Sequence, residues 1–326
     1  MHVPLRRHLA AACGGVAILL AAGCAATGTG QVGNASSTAP AVTPVPEPVP
    51  LDPAKGLYLS LGDSYAAGTN PGSYSSGKTS DFAFPNQIAS RVNAAGTPLQ
   101  MVNLACSGAT SQDVVGAAGC ASNLMGGDST PYPTEPQLAA AERVLSASAG
   151  NVRLVTIVVG GNDVTRCLSD TNASGDFRTN PATTACLTAA STTLRENLTE
   201  ILTRVRALVG PSVPIIGLTY PDSYLGLYTR TEPGYQDYAR ASQEVFQTHL
   251  NPVLRDTYAS AGAEFVDITQ LTGGYDALDT ATDGTVPIPV QTVCRLTYMC
   301  SDDDVHATEA GHTFIADQVL ALAPLG

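Results

Sequence analysis

Tryptophan is absent from this chain of 326 residues, and only 13% of its residues are charged. Without indole rings the usual platform for stacking sugars is missing, although the 12 tyrosines offer a substitute. Basic residues are scarce too: 16 Lys and Arg against 28 Asp and Glu leave a net charge of −12. A surface of that sign repels phosphate backbones, so nucleic acid is not an expected partner, and no basic patch is available for anionic lipid. The low charge stops short of what a membrane bundle would need. With 44% apolar residues, the chain can instead bury one substantial core. There is no internal repeat, no Cys-x-x-Cys and no cluster of histidines, so neither a metal nor another cofactor is expected.

The N-terminus reads as an export signal. Arg6 and Arg7 precede a short apolar segment, Leu9 to Ala22, that ends in small residues and is too short to stay in a bilayer as a spanning helix. It runs into Leu20-Ala21-Ala22-Gly23-Cys24, which resembles a bacterial lipoprotein cleavage box with Cys24 as the acylated residue. A signal peptide over residues 1–23 is therefore expected, and losing its two arginines would take the net charge from −12 to −14. Residues 24–54 are rich in Ala, Thr, Ser, Gly, Pro and Val and hold few groups that could offset their ordering entropy, so they are expected to be a tether. The folded domain is expected over residues 55–326, exported and held at the outer face of the plasma membrane by its N-terminal lipid, or else secreted. A monomer is expected.

Six cysteines fall in the folded part: Cys106, Cys120, Cys167, Cys186, Cys294 and Cys300. An even count in an exported chain implies disulfides. Six cysteines allow fifteen connectivities, and pairing of sequence neighbours is the simplest of them.

Apolar runs of strand type alternate with helical stretches. Strands are expected at 57–61, 99–104, 152–159, 213–218 and 264–268, and helices near 81–94, 135–148, 182–209, 235–260 and 308–322. The third and fourth strands are continuous apolar runs, as when helices cover both faces of a sheet. The alternation predicts a three-layer α/β/α sandwich around a five-stranded parallel sheet of flavodoxin-like type. In such sheets ligands bind beyond the carboxyl ends of the strands. Ser64 follows the first strand, Gly108 the second and Asn162 the third, so all three are expected at that edge.

Those three residues and His306 form a chemical inventory. Ser64, in Gly62-Asp63-Ser64, sits where a strand yields to a helix N-terminus whose amides favour developing negative charge. His306 stands at a loop-to-helix junction, with Asp303 three residues before it and placed to reach one ring nitrogen; Asp302 and Asp304 offer the same chemistry. His249 and His312 lie inside helical stretches and are expected to be structural. The N–H groups of Ser64 and Gly108 and the amide of Asn162 can stabilise a tetrahedral oxyanion. The set is what a serine hydrolase requires.

The four segments, in this order and at these strand ends, resemble the SGNH (GDSL-type) hydrolases. The blocks that name that family match Ser64, Gly108, Asn162 and His306, and Asp303 falls where the family's acid usually precedes the histidine. The resemblance runs from about Leu57 to Leu322. The stretch Asn103-Leu104-Ala105-Cys106-Ser107-Gly108-Ala109 and the six cysteines look like its secreted actinobacterial lipases and esterases. Tyr65 stands where the family often has leucine, and Ala307 where it often has proline. The resemblance implies an SGNH fold and hydrolysis of carboxylic esters by a Ser64–His306–Asp303 triad. It implies an oxyanion hole of Ser64, Gly108 and Asn162, and no cofactor. Paired in sequence order, each disulfide would staple a loop carrying one of these groups. Small-molecule or lipid esters are the expected substrates. The alternative is O-deacetylation or acyl transfer on cell-envelope glycans, and a third reading is an envelope-binding lipoprotein without activity. Residues 269–300 lack clear periodicity and are expected to shape the substrate pocket; Tyr220 faces either the site or the sheet edge.

Overall fold

Leu57, Leu59 and Leu61 alternate with Tyr58 and Ser60, and every residue of the strand they form is buried, as a central strand covered on both faces requires. In the computed structural model this strand, β1 (Gly56–Gly62), lies inside a sheet with β2 (Leu99–Asn103), β3 (Val152–Val158), β4 (Ile215–Leu218) and β5 (Glu264–Val266). The order is β2-β1-β3-β4-β5 and every pairing is parallel. The structure describes residues 50–126, 131–169, 180–278, 286–323 and 325. The chain divides into Met1–Pro44 and Val45–Gly326. The expected signal peptide, Cys24 and all but the last few residues of the 24–54 tether lie outside the described residues.

The sheet order reverses direction between β1 and β3. Chain leaving β1 crosses to one side and chain leaving β3 to the other, which opens a crevice at their carboxyl ends. Helices flank the sheet, the longest being Pro181–Val209, whose Leu194, Leu198, Ile201, Leu202 and Val205 follow helical spacing and are fully buried. Asn180 caps it through the Ala182 N–H, and Pro181 occupies the first turn, where its missing N–H costs nothing.

Two expectations on helices change. The 235–260 stretch is not one regular helix. It consists of Tyr235–Val245, one π-helical turn at Phe246–Leu250, and Asn251–Ser260. Residues 269–300, in contrast, hold regular structure: helix Ile288–Leu296 and the helical turn Met299–Asp302. The first of these packs Val290 and Val293 onto Leu225, Tyr228 and Leu278 as a separate small apolar cluster.

The cysteines pair as sequence neighbours: Cys106–Cys120, Cys167–Cys186 and Cys294–Cys300. By loop-closure entropy the two longer loops contribute about 3 kcal/mol each and the short one about 2 kcal/mol. Among the described residues no helix is long and apolar enough to cross a membrane.

Candidate active site

The crevice is built first by the end of β1. Gly62 has φ +135°, and a Cβ there would run into the Val158 carbonyl of the neighbouring strand, so only glycine fits. The side chain of Gln137, from helix Gln137–Ala147, grips this residue: its Oε1 accepts from Gly62 N at 2.7 Å and its Nε2 donates to Gly62 O at 3.0 Å. Asp63 then caps the helical turn Ser64–Ala67, accepting the Tyr65 N–H at 3.0 Å. Ser64 is the first residue of that turn and is 8% exposed. Because Asp63 takes the Tyr65 amide, the Ser64 N–H is left without an acceptor among the described residues.

The second and third loops are joined to each other by a hydrogen bond. Gly108 has φ +82°, and its N–H likewise has no acceptor among the described residues. Asn162, in the first turn of helix Gly161–Ser169, donates one amide hydrogen to Ala109 O at 3.0 Å. An amide carries two such hydrogens, so the second remains for a ligand. Ser64, Gly108 and Asn162 therefore sit on consecutive loops of one sheet edge, as expected, with three donors left unspent.

His306 comes from the loop before helix Glu309–Leu322 and is 7% exposed. The loop is tied to the preceding segment by Tyr298 N donating to His306 O at 2.9 Å and Thr308 N donating to Leu296 O at 2.9 Å. The expectation that Asp303 orients this histidine is not met; Asp304 does so. Its Oδ1 accepts from His306 Nδ1 at 2.7 Å and from the His306 backbone N–H at 2.8 Å. Asp303 has φ +55°, ends the turn Met299–Asp302 in left-handed conformation, and places its carboxylate on Arg230 at the surface. That reversal turns Asp303 outward and hands the ring to the next residue. Asp304 closes a turn by bonding the amide two residues on, a habit of aspartate that a three-residue spacing rule misses. Burial alone would raise the Asp304 carboxyl, but the hydrogen bonds and charge of His306, with a bond from Tyr74, outweigh it and hold it below its ordinary value.

Buried tyrosines join these parts. Tyr220 OH donates to Asp63 Oδ2 at 2.6 Å and accepts from Gly161 N at 3.1 Å, so one hydroxyl links the residue before Ser64 to the residue before Asn162. Burial pushes the Asp63 carboxyl up to about 7 against the lowering effect of the Tyr220 and Tyr65 hydrogen bonds. Tyr65 packs edge-on against Tyr220, with ring centroids 5.1 Å apart, and donates to Val305 O at 2.7 Å, tying the serine turn to the histidine loop. The tyrosine at the position where the family often has leucine thus joins the serine turn to the histidine loop. His312 is fully buried; its Nδ1 accepts from Phe84 N at 3.3 Å, and burial pushes its pKa down to about 3, so it stays neutral, in keeping with a structural role.

A small cleft of about 70 Å³ opens at Ser64 and Asn162, walled by Val164, Tyr224, Phe246 and Leu250. None of the described residues between 269 and 300 lines it, so the pocket is shaped by the π turn and the segment after β4 instead. Among the described residues no group of three His, Cys, Asp or Glu is placed to hold a metal. Gln137 was missed by sequence reasoning, while Asp304 was noted only as one of three adjacent acids and Tyr220 only as a residue facing either the site or the sheet edge.

Residues 58–319 match the family model described as GDSL-like Lipase/Acylhydrolase. The chain is 30% identical over 265 residues to a protein named Lipase 1 from Streptomyces coelicolor, covering 78% of this chain and 80% of that one. Among solved structures, an extracellular lipase from Streptomyces rimosus has the same fold, with TM-score 0.50 and 21% identity over 82% of this chain and 99% of that chain. A phospholipase A1 from Streptomyces albidoflavus aligns with TM-score 0.48 and 21% identity over 83% and 100% of the two chains. With the family model spanning nearly the whole sheet and the loops at its edge, the chain belongs to the GDSL-like lipase/acylhydrolase family and is a carboxylic ester hydrolase.

Proposed function

We propose that the hydrolase acts through Ser64 as nucleophile, His306 as general base and acid, and Asp304 as the group that fixes the imidazole. Holding Nδ1 on Asp304 keeps that nitrogen protonated and leaves Nε2 to take the Ser64 proton as the hydroxyl attacks the ester carbonyl. The carbonyl oxygen becomes an oxyanion held by the Ser64 and Gly108 amides and the second hydrogen of Asn162. His306 then returns the proton to the departing alcohol, and a water molecule repeats the cycle on the acyl-enzyme, releasing the acid. The observation that carries this reading is the meeting of Ser64 and Asn162 at one apolar cleft, with the histidine loop tied to the serine turn through Tyr65.

The substrates we propose are lipid or short-chain carboxylic esters, supported by the apolar walls of the cleft. Export is supported by the three disulfides and by the likeness to the lipase from S. rimosus described as extracellular. Anchoring through lipid on Cys24 rests on the cleavage-box sequence, and loss of metabolic palmitate labelling in Cys24→Ser is the expected result.

The full chain should be labelled by an alkyl fluorophosphonate at Ser64 and should hydrolyse p-nitrophenyl esters. Ser64→Ala should lose both. Labelling that persists in Ser64→Ala would overturn the assignment of the nucleophile.

A further inference from the structure

The helix that follows the cleft's tyrosines changes pitch at the cleft itself. Between Tyr235–Val245 and Asn251–Ser260, the turn Phe246–Leu250 is π-helical, and the Asn251 N–H reaches back five residues to Phe246 O. The sequence supplies the cause. Pro252 has no N–H to give to the Thr248 carbonyl, and its ring crowds that carbonyl, so the regular ladder cannot run through this point. Single π turns inside α-helices accompany functional sites often enough to prompt a search for what this one does.

Its effect is on the direction of side chains. Ser242, Phe246, Leu250, Leu254 and Tyr258 are all buried at four-residue spacing. In an unbroken α-helix each such step overshoots a turn by roughly 40°, so a stripe of this length would wind away from the core. One widened turn absorbs an extra residue and brings the stripe back. Phe246 and Leu250 are the two members that fall on the widened turn, and both line the cleft shared by Ser64 and Asn162. The turn is also pinned to the site. Ser191 Oγ donates to the His249 carbonyl at 2.8 Å. Asn251 is buried, accepts from Thr219 Oγ1 at 2.6 Å and donates to Thr269 Oγ1 at 2.9 Å, and Thr269 Oγ1 in turn donates to Tyr220 O at 2.7 Å. Three hydrogen bonds thus fix the turn relative to the tyrosine that bridges Asp63 and Gly161.

We propose that Phe246 and Leu250, presented by this Pro252-induced π turn, determine which acyl chains the enzyme accepts. The proposal rests on the reading of Ser64 as nucleophile. The acyl half, rather than the alcohol half, belongs in this cleft for a chemical reason. The departing alcohol must receive its proton from His306, and His306 is not among the residues that line the cleft. Phe246 is 5% exposed and Leu250 is fully buried, so the wall they form is backed by packed core and short acyl chains are preferred.

The test is the ratio of kcat/KM for p-nitrophenyl butyrate to that for p-nitrophenyl laurate in the full chain. The native enzyme should favour butyrate. Phe246→Ala should shift the ratio toward laurate by about tenfold, in line with about two methylene groups gaining burial. Phe246→Leu, which keeps most of the packing, should shift it in the same direction by about threefold and serves if the alanine variant does not fold. Pro252→Ala gives Thr248 its donor back and should change the ratio by about threefold or more. A ratio within about twofold of the native value in the folded Phe246 variants, or in Pro252→Ala, overturns the proposal, provided that fluorophosphonate still labels Ser64. Absence of labelling and hydrolysis in the native enzyme would instead overturn the reading of Ser64, so the two failures are told apart.

Discussion

Two aspartates flank the same crevice, and their surroundings drive them in opposite directions. Asp63 is buried in the serine half, where a tyrosine hydroxyl and a backbone amide are its hydrogen-bond donors, and its carboxyl is pushed up to about 7. Asp304, in the histidine half, is held below its ordinary value because His306 offers a hydrogen bond and a positive charge that overcome burial. The contrast extends to the construction of each half. The serine half is assembled by long-range bonds between buried groups: Gln137 to Gly62, Tyr220 to Asp63 and Gly161, and Asn162 to Ala109. The histidine half is assembled mainly from its own neighbourhood, by the Asp304 turn, the Cys294–Cys300 bridge and backbone bonds to residues 296–298, with Tyr65 reaching Val305 O and Tyr74 reaching Asp304 from the serine side. One half depends on the whole fold and the other mostly on a short loop, so damage to each should look different.

The sharpest break concerns the adjacent acids. Asp304→Asn leaves the loop's shape nearly intact but removes the charge that stabilises an imidazolium, and kcat should fall by about 10²–10⁴. Asp303→Asn removes an exposed ion pair with Arg230 and should change kcat by less than about threefold. Steady-state kinetics on the two variants decides between them, and a reversed result would restore Asp303 as the orienting acid.

The opposite shifts also predict opposite pH slopes. Asp63 has a native pKa near 7, above its ordinary 3.8, so the native state holds a proton that the unfolded chain has lost across that window. Its stabilising contribution is complete below about pH 4 and is lost as pH rises through 7, at up to about 1.4 kcal/mol per pH unit. Asp304 runs the other way: its contribution is present above its ordinary pKa and is lost as pH falls through the depressed native value. Asp63→Asn should therefore melt at a higher temperature than the native protein at pH 8, and the gap should close by pH 4. Thermal unfolding at the two pH values measures this, and a gap independent of pH would contradict it.

Gln137→Ala probes the long-range construction alone. The Gly62 carbonyl keeps its bond from Cys106 N, but the buried Gly62 N–H loses its acceptor at the end of β1. A stability loss of about 1–3 kcal/mol is expected from the orphaned amide, with a further contribution from the cavity. Denaturant unfolding reads the loss, and kcat should fall with it because Ser64 lies two residues on.

Much of this architecture could be read in advance, and the reasons are local. Continuous apolar runs marked β3 and β4, alternation with helices implied parallel strands, and parallel topology forces Ser64, Gly108 and Asn162 onto one edge. What escaped reading depends on contacts between distant residues or on a single backbone angle. Nothing near Gln137 in sequence announces that its amide holds Gly62, 75 residues away. Tyr220 has two plausible environments until Asp63 and Gly161 are brought to its hydroxyl. The Asp303–Asp304 choice turns on one left-handed residue, which an unbroken run of acids does not reveal. The π turn had a visible cause in Pro252, but four-residue apolar spacing on either side reads as ordinary helix.

The smallest effect should come from the staple of the histidine half. Cys294 and Cys300 are six residues apart, so removing their bridge with Cys294→Ala and Cys300→Ala together should cost about 2 kcal/mol, less than the loss of either longer loop. Gly226 lies directly beneath this bridge, where a Cβ would press on Met299 and Cys300, so the turn Met299–Asp302 remains seated by packing when the bond is gone. Because Asp304 and His306 are bonded to each other rather than to the staple, the surviving folded enzyme should keep kcat within several-fold of native. A loss of kcat as large as that of Asp304→Asn, at a temperature where the double variant is still folded, would show that the loop cannot hold its own geometry and that the histidine half is no more autonomous than the serine half.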